Sequence, residues 1–115
     1  MKTILCFGDS NTWGYSPKDG SRFPPNIRWT GTLQSLLGAD YNIIEEGLNG
    51  RTTFINEKGR GARAFRSGSD LFPTILESHR PLNLVIIMLG SNDLKLEYNL
   101  SVEEKDDAVL ADCNL

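Results

Sequence analysis

Residues 4–12 read Ile4-Leu5-Cys6-Phe7-Gly8-Asp9-Ser10-Asn11-Thr12, an apolar run that breaks at a glycine and delivers four polar residues together. A short unbroken apolar run bounded by such a break reads as a buried parallel strand over residues 3–7, not as a half-exposed alternating one. In open parallel sheets, ligands and chemistry gather outside the carboxyl ends of the strands. A first strand that ends in a serine between two other polar residues is therefore a natural seat for a nucleophile. The pattern recurs at residues 84–89, Leu-Val-Ile-Ile-Met-Leu, which lead into Gly90-Ser91-Asn92-Asp93. It occurs a third time where a short strand at 41–46, around Ile43 and Ile44, runs into Gly47-Leu48-Asn49-Gly50-Arg51-Thr52-Thr53. Three strand ends followed by small and polar residues predict one composite site.

The intervening segments predict helices. Trp29, Leu33, Leu36 and Leu37 share one face at helical spacing, and Gly38 stands where a helix C-terminal glycine belongs. Trp29 reads as core. A loop rich in Gly, Pro and Ser precedes this helix over residues 14–25. Leu71, Phe72, Ile75 and Leu76 give a second helix its apolar face, with Ser69 or Asp70 as cap and Pro73 near its start. Residues 47–68 form a long irregular stretch carrying Arg51, Lys58, Arg60, Arg63 and Arg66, read as a solvated basic loop. Strand and helix alternate, so the fold class is α/β with a parallel sheet and right-handed crossovers. The run at 84–89 is apolar on both faces and predicts a central strand. Ser101-Val102-Glu103-Glu104 has the form of a capping box opening a further helix.

Bulk properties set limits. The 115 residues suit one domain, and a net charge of −3 at pH 7 gives no electrostatic reason to expect nucleic acid. No run approaches the roughly 18 apolar residues of a membrane span. The first apolar run stops at Gly8, short of the roughly 7–15 residues plus cleavage site of a secretory leader, so the expected compartment is cytoplasmic. Cys6 and Cys113 are too few for a disulfide framework, and Cys6 reads as a buried, inert small hydrophobe. No metal-ligand spacing is visible and no cofactor is expected.

The blocks Gly8-Asp9-Ser10-Asn11, Gly47-Leu48-Asn49-Gly50-Arg51-Thr52-Thr53 and Gly90-Ser91-Asn92-Asp93, in this order at strand ends, resemble the SGNH (GDSL-type) hydrolases. Arg28-Trp29-Thr30-Gly31 and Leu84 to Gly90 resemble their small bacterial arylesterase/acyltransferase branch. The resemblance covers residues 1–104 as the N-terminal portion of a hydrolase domain and leaves 105–115 as an atypical tail. It implies a flavodoxin-like three-layer α/β/α sandwich of sheet order 2-1-3-4-5, of which strands 2-1-3 are expected here. It implies hydrolysis or transfer of acyl groups from a small ester through an acyl-enzyme. Ser10 would be the nucleophile, and the backbone N–H of Ser10, the N–H of Gly50 and the Asn92 carboxamide would form the oxyanion hole. Chemistry agrees: each preorganised neutral donor stabilises a developing oxyanion by roughly 3–4 kcal/mol. Asp9, Asn11, Trp13 and Tyr15 are the expected substrate-side residues, with the Asp9 carboxylate ordering the loop. Asp93 reads as a structural residue holding loops by hydrogen bonds.

One departure from the family pattern matters. Its base and orienter come from an Asp-x-x-His motif, and none occurs in this sequence, whose only histidine is His79. His79 reads as a structural residue at a helix C-terminus, where a cation is favoured. A serine hydroxyl without an imidazole in reach is a poor nucleophile, so the expectation is the nucleophile half of an esterase site, with impaired activity. An apolar open strand edge invites pairing, which gives a second expectation: a truncated, non-catalytic remnant or interaction module that self-associates. A phosphate-binding flavodoxin-like module ranks last, because the loop at Asp9–Thr12 lacks a glycine-rich phosphate fingerprint.

Overall fold

The computed structural model describes residues 1–55 and 65–94. The capping-box segment, the tail beyond residue 104, Lys58, Arg60 and Arg63 lie outside the described residues. The chain divides into two compact units, Met1–Asn49 with Pro81–Met88, and Gly50–Arg80 with Leu89–Leu115.

The first unit is built on a parallel sheet of β1 (Lys2–Gly8), β2 (Tyr41–Gly47) and β3 (Leu84–Met88), in the order β2-β1-β3. β1 pairs with β2 from Lys2 opposite Tyr41 to Gly8 opposite Gly47. Its other edge pairs with β3 from Ile4 opposite Leu84 to Gly8 opposite Met88. Successive strand residues face opposite sides, and Ile4, Leu5, Cys6 and Phe7 are all buried. Both faces of β1 are therefore covered, each large side chain adding roughly 1.5–3 kcal/mol by leaving water. The strand that is flanked on both edges is β1. Among the described residues β3 pairs only with β1, and its ends are open, Leu84 being 51% and Met88 42% exposed. The sequence alone placed β3 centrally; its apolar character records both faces but says nothing about which edge is filled.

Two helices of this unit, α1 (Ser10–Trp13) and α2 (Trp29–Leu37), pack on β2. The α1 contact is close. A Cβ added at Gly47 would sit 2.2 Å from the Trp13 backbone nitrogen, and one at Gly8 would sit 2.2 Å from Thr12 Oγ1. Glycine at both strand ends lets the first turn of α1 rest on the sheet. α2 ends at Gly38, φ +84°, whose N–H donates to the Gln34 carbonyl. The Gln34 side chain does more: Nε2 donates to Tyr41 O at 2.7 Å, and Oε1 accepts from Ile43 N at 3.0 Å. Trp29 is half-buried and its Nε1 reaches Thr12 Oγ1 at 3.3 Å, joining α2 to α1. Arg28 Nη1 meets Glu45 Oε2 of β2 at 3.0 Å while its Nε donates to Phe23 O. Arg22 approaches the same carboxylate at 3.7 Å, so one acid collects both arginines of the loop.

The second unit contains α3 (Gly68–His79) and a 3-10 turn at Ser91–Leu94. The expected cap at Ser69 or Asp70 is displaced: the N-cap is Ser67, and its side chain makes no capping bond. Backbone carbonyls do that work, Gly68 N donating to Thr52 O at 2.8 Å and Ser69 N to Thr53 O at 2.7 Å. A cap drawn from residues fifteen or so positions upstream leaves no local sequence signal. Arg51 is only 4% exposed, which corrects its reading as part of a solvated loop. No helix among the described residues is long and apolar enough to cross a membrane.

Two outcomes follow. Gly47→Ala drives a methyl into the α1 backbone and lowers unfolding free energy by about 3 kcal/mol, read from the urea midpoint. The Cys6 thiol is pushed up from 9.0 to about 11 by burial and, secondarily, by Glu45, its neighbour across the β1–β2 pairing. The folded chain thus holds a proton that the unfolded chain releases. The stability this contributes is complete below pH 9.0 and is lost as pH rises through about 11. Urea titrations across that range should show a loss of about 2 kcal/mol that Cys6→Ala abolishes.

Candidate active site

The end of β1 turns directly into α1, and the turn divides its tasks between neighbours. Asp9 is the N-cap: its Oδ1 accepts from Asn11 N at 3.0 Å, and its backbone carbonyl accepts from Thr12 N and Trp13 N. Asp9 is 3% exposed and committed to the turn. Ser10, the next residue, has no such duty. Its carbonyl accepts from Gly14 N and Tyr15 N, but neither its hydroxyl nor its N–H has a partner among the described residues. The capping role that a serine here would ordinarily fill belongs to Asp9, which leaves Ser10 Oγ available for chemistry. Asn11 is exposed, Trp13 half-buried and Tyr15 exposed. Trp13 carries the Arg22 guanidinium over its ring, 4.9 Å from the centroid, while Arg22 Nε donates to the Trp13 carbonyl at 2.7 Å. Tyr15 bridges Arg22 in a short antiparallel pairing.

Gly50 and Asn92 lie in the second unit, where hydrogen bonds bring their two segments together. Gly50 has φ +77°, a conformation that favours glycine, and its N–H has no acceptor among the described residues. Asn92 Nδ2 donates one of its two N–H groups to Arg51 O at 2.9 Å, which orients the carboxamide and leaves the second N–H. Thr53 N donates to Asp93 Oδ1 at 3.0 Å, and Thr53 Oγ1 donates to Asp93 Oδ2. Asp93 is thus a fully buried carboxylate whose two oxygens each grip the Gly50–Thr53 loop, a structural role of the kind the sequence suggests. Thr53 and the Arg51 carbonyl escaped the sequence reading. Their partners stand about forty positions away, and a threonine in a polar loop carries no periodic signal. His79 closes α3 as its last residue.

The sequence profile of GDSL-like lipases and acylhydrolases matches residues 4–112. The chain belongs to the GDSL-like lipase/acylhydrolase family. Solved structures of this family superpose closely on the chain. A carbohydrate acetylesterase family member from Sinorhizobium meliloti has 41% identity and a TM-score of 0.91, covering 100% of this chain and 53% of its own. The native aryl esterase of M. smegmatis has 44% identity and a TM-score of 0.87, covering 96% and 52%. AlinE4, an esterase of the SGNH-hydrolase family, has 26% identity and a TM-score of 0.70, covering 96% and 50%. The chain spans about half the length of these solved relatives. A search of curated proteins gave no match. The sheet of this GDSL-like chain is the 2-1-3 portion of the SGNH hydrolase fold.

The division of labour at the end of β1 has a measurable signature. Asp9→Ala removes the cap and costs about 1 kcal/mol, whereas Ser10→Ala changes stability by less than about 0.5 kcal/mol. Chemical denaturation of the two variants beside the parent checks this.

Proposed function

We propose that this GDSL-like chain carries the nucleophile and oxyanion portion of a serine ester hydrolase that works through an acyl-enzyme. The observation that supports it most is the Ser10 hydroxyl at the carboxyl end of β1, without a partner among the described residues, the cap being supplied by Asp9. Ser10 Oγ attacks the ester carbonyl carbon as its proton passes to a base. The carbonyl oxygen takes up negative charge, which the N–H of Ser10, the N–H of Gly50 and the second N–H of Asn92 stabilise. Collapse expels the alcohol, and water, or a second alcohol in acyl transfer, then releases the acyl group. The small acyl esters suggested by the acetylesterase and aryl esterase relatives are the substrates to try first.

These 115 residues contain no Asp-x-x-His and one histidine, His79. Loss of the histidine from a serine hydrolase lowers turnover by about 10⁶, leaving roughly 10³–10⁴ over water from oxyanion donors and binding. Steady-state turnover by this chain is accordingly weak, and the part sustained by oxyanion donors and binding survives loss of the Ser10 hydroxyl. The decisive test is therefore covalent: a serine-directed phosphonate should label the parent at Ser10 alone, and Ser10→Ala should take no label. An unlabelled Ser10 in the parent refutes the reading.

A second reading rests on β3. Its apolar side chains are partly exposed, and its outer edge has no strand partner among the described residues. Such an edge accepts an added strand, and the chain would then act as a self-associating module. Light scattering coupled to size exclusion should show a mass of twice the chain or more; a monomer at all concentrations excludes it.

A further inference from the structure

The loop that carries Gly50 is held from two directions. On one side, Thr52 N donates to Arg66 O at 3.0 Å, and the carbonyls of Thr52 and Thr53 accept the first N–H groups of α3. On the other, Thr53 presents both its N–H and its hydroxyl to the two oxygens of Asp93. Asp93 follows Asn92 directly, and Asn92 returns a bond to the carbonyl of Arg51, the residue after Gly50. The result is a closed ring: Asn92 to Asp93 through the chain, Asp93 to Thr53 through two hydrogen bonds, Thr53 to Arg51 through the chain, and Arg51 to Asn92 through the carboxamide. Arg51, Thr52, Thr53 and Asp93 are all buried, so water does not compete for the two Thr53–Asp93 bonds.

We propose that Thr53 and Asp93 are positioning residues that fix the spacing between the Gly50 N–H and the Asn92 carboxamide; the proposal rests on the reading of those two groups as oxyanion donors. The chemistry of the pair suits the task. A carboxylate accepts on both oxygens, so it locks Thr53 by main chain and side chain at once. A single bond would leave the loop free to pivot about it. Donor placement matters because the oxyanion forms at a point shared by all the donors, and misplacement by 1 Å costs about a hundredfold in rate.

The test uses the full chain with Thr53→Val, Thr53→Ser and Ser10→Ala, assayed with p-nitrophenyl acetate at a temperature where each variant is folded by circular dichroism. Thr53→Val keeps the shape and the N–H bond but deletes the hydroxyl bond; its kcat should fall about tenfold or more with KM within about twofold. Thr53→Ser restores the hydroxyl and should recover parental kcat within about threefold. A ¹⁵N–¹H spectrum supplies a readout free of turnover: the Gly50 N–H and Asn92 side-chain amide resonances should move in Thr53→Val and return in Thr53→Ser. Parental kcat in Thr53→Val, or unmoved Gly50 and Asn92 resonances, overturns the inference while a serine-directed phosphonate still labels Ser10 of the parent and leaves Ser10→Ala unlabelled. An unlabelled Ser10 in the parent instead overturns the hydrolase reading, and this inference with it.

Discussion

Burial of β1 on both faces, with a parallel partner along each edge, is the constraint on which the rest depends. A strand so enclosed cannot slip by one residue, because a slip would exchange the two sets of side chains between faces. Ile4, Leu5, Cys6 and Phe7 therefore fix where Gly8 ends the strand, and Gly8 fixes where Asp9 and Ser10 begin the turn. The seat of the hydroxyl is set by packing at Ile4–Phe7, upstream of the turn, as much as by anything in the turn. Gly8 and Gly47, opposite each other at the last step of the pairing, then admit α1, Gly47 its backbone and Gly8 its Thr12 side chain, to distances no side chain at either position would tolerate.

At the turn itself, adjacent residues hold opposite roles. Asp9 is buried and accepts backbone donors at its carbonyl and at Oδ1, whereas the Ser10 hydroxyl has no partner among the described residues. The same separation holds in the second unit: Thr53 and Asp93 bind each other, while the Gly50 N–H and one N–H of Asn92 have no partner among the described residues. Groups that hold the fold and groups without a partner among the described residues stand close along the chain, as Asp9 beside Ser10 and Asp93 beside Asn92. This arrangement lets the supporting residues be rigid without drawing on the hydrogen-bonding capacity that a substrate would use.

Much of the sheet was legible in the sequence because it rests on local pattern. Apolar runs, only Ile43 and Ile44 in β2, matched all three strands to within a residue or two, and the spacing of Trp29, Leu33 and Leu37 matched α2 with its closing glycine, whereas Leu36, expected on the same face, is 80% exposed. The three polar blocks gave the family, which the profile match over residues 4–112 establishes. What stayed hidden was pairing between distant residues. The backbone cap of α3, the joint claim of Arg22 and Arg28 on Glu45, and the grip of Asp93 on Thr53 each join positions 15 to 40 apart. Hydrogen bonds between loops have no period, and a buried arginine such as Arg51 looks like any other in a basic stretch.

Gln34 leads to a different consequence. Its carboxamide meets a carbonyl and an N–H two residues apart on β2, as a peptide group of an adjoining strand would. A helix side chain thus impersonates a strand at the start of β2, where it occupies the Tyr41 carbonyl and the Ile43 N–H. Lateral accretion is polarised to that extent: a strand added beside β2 meets two groups already engaged, whereas β3 has no strand on its outer edge among the described residues.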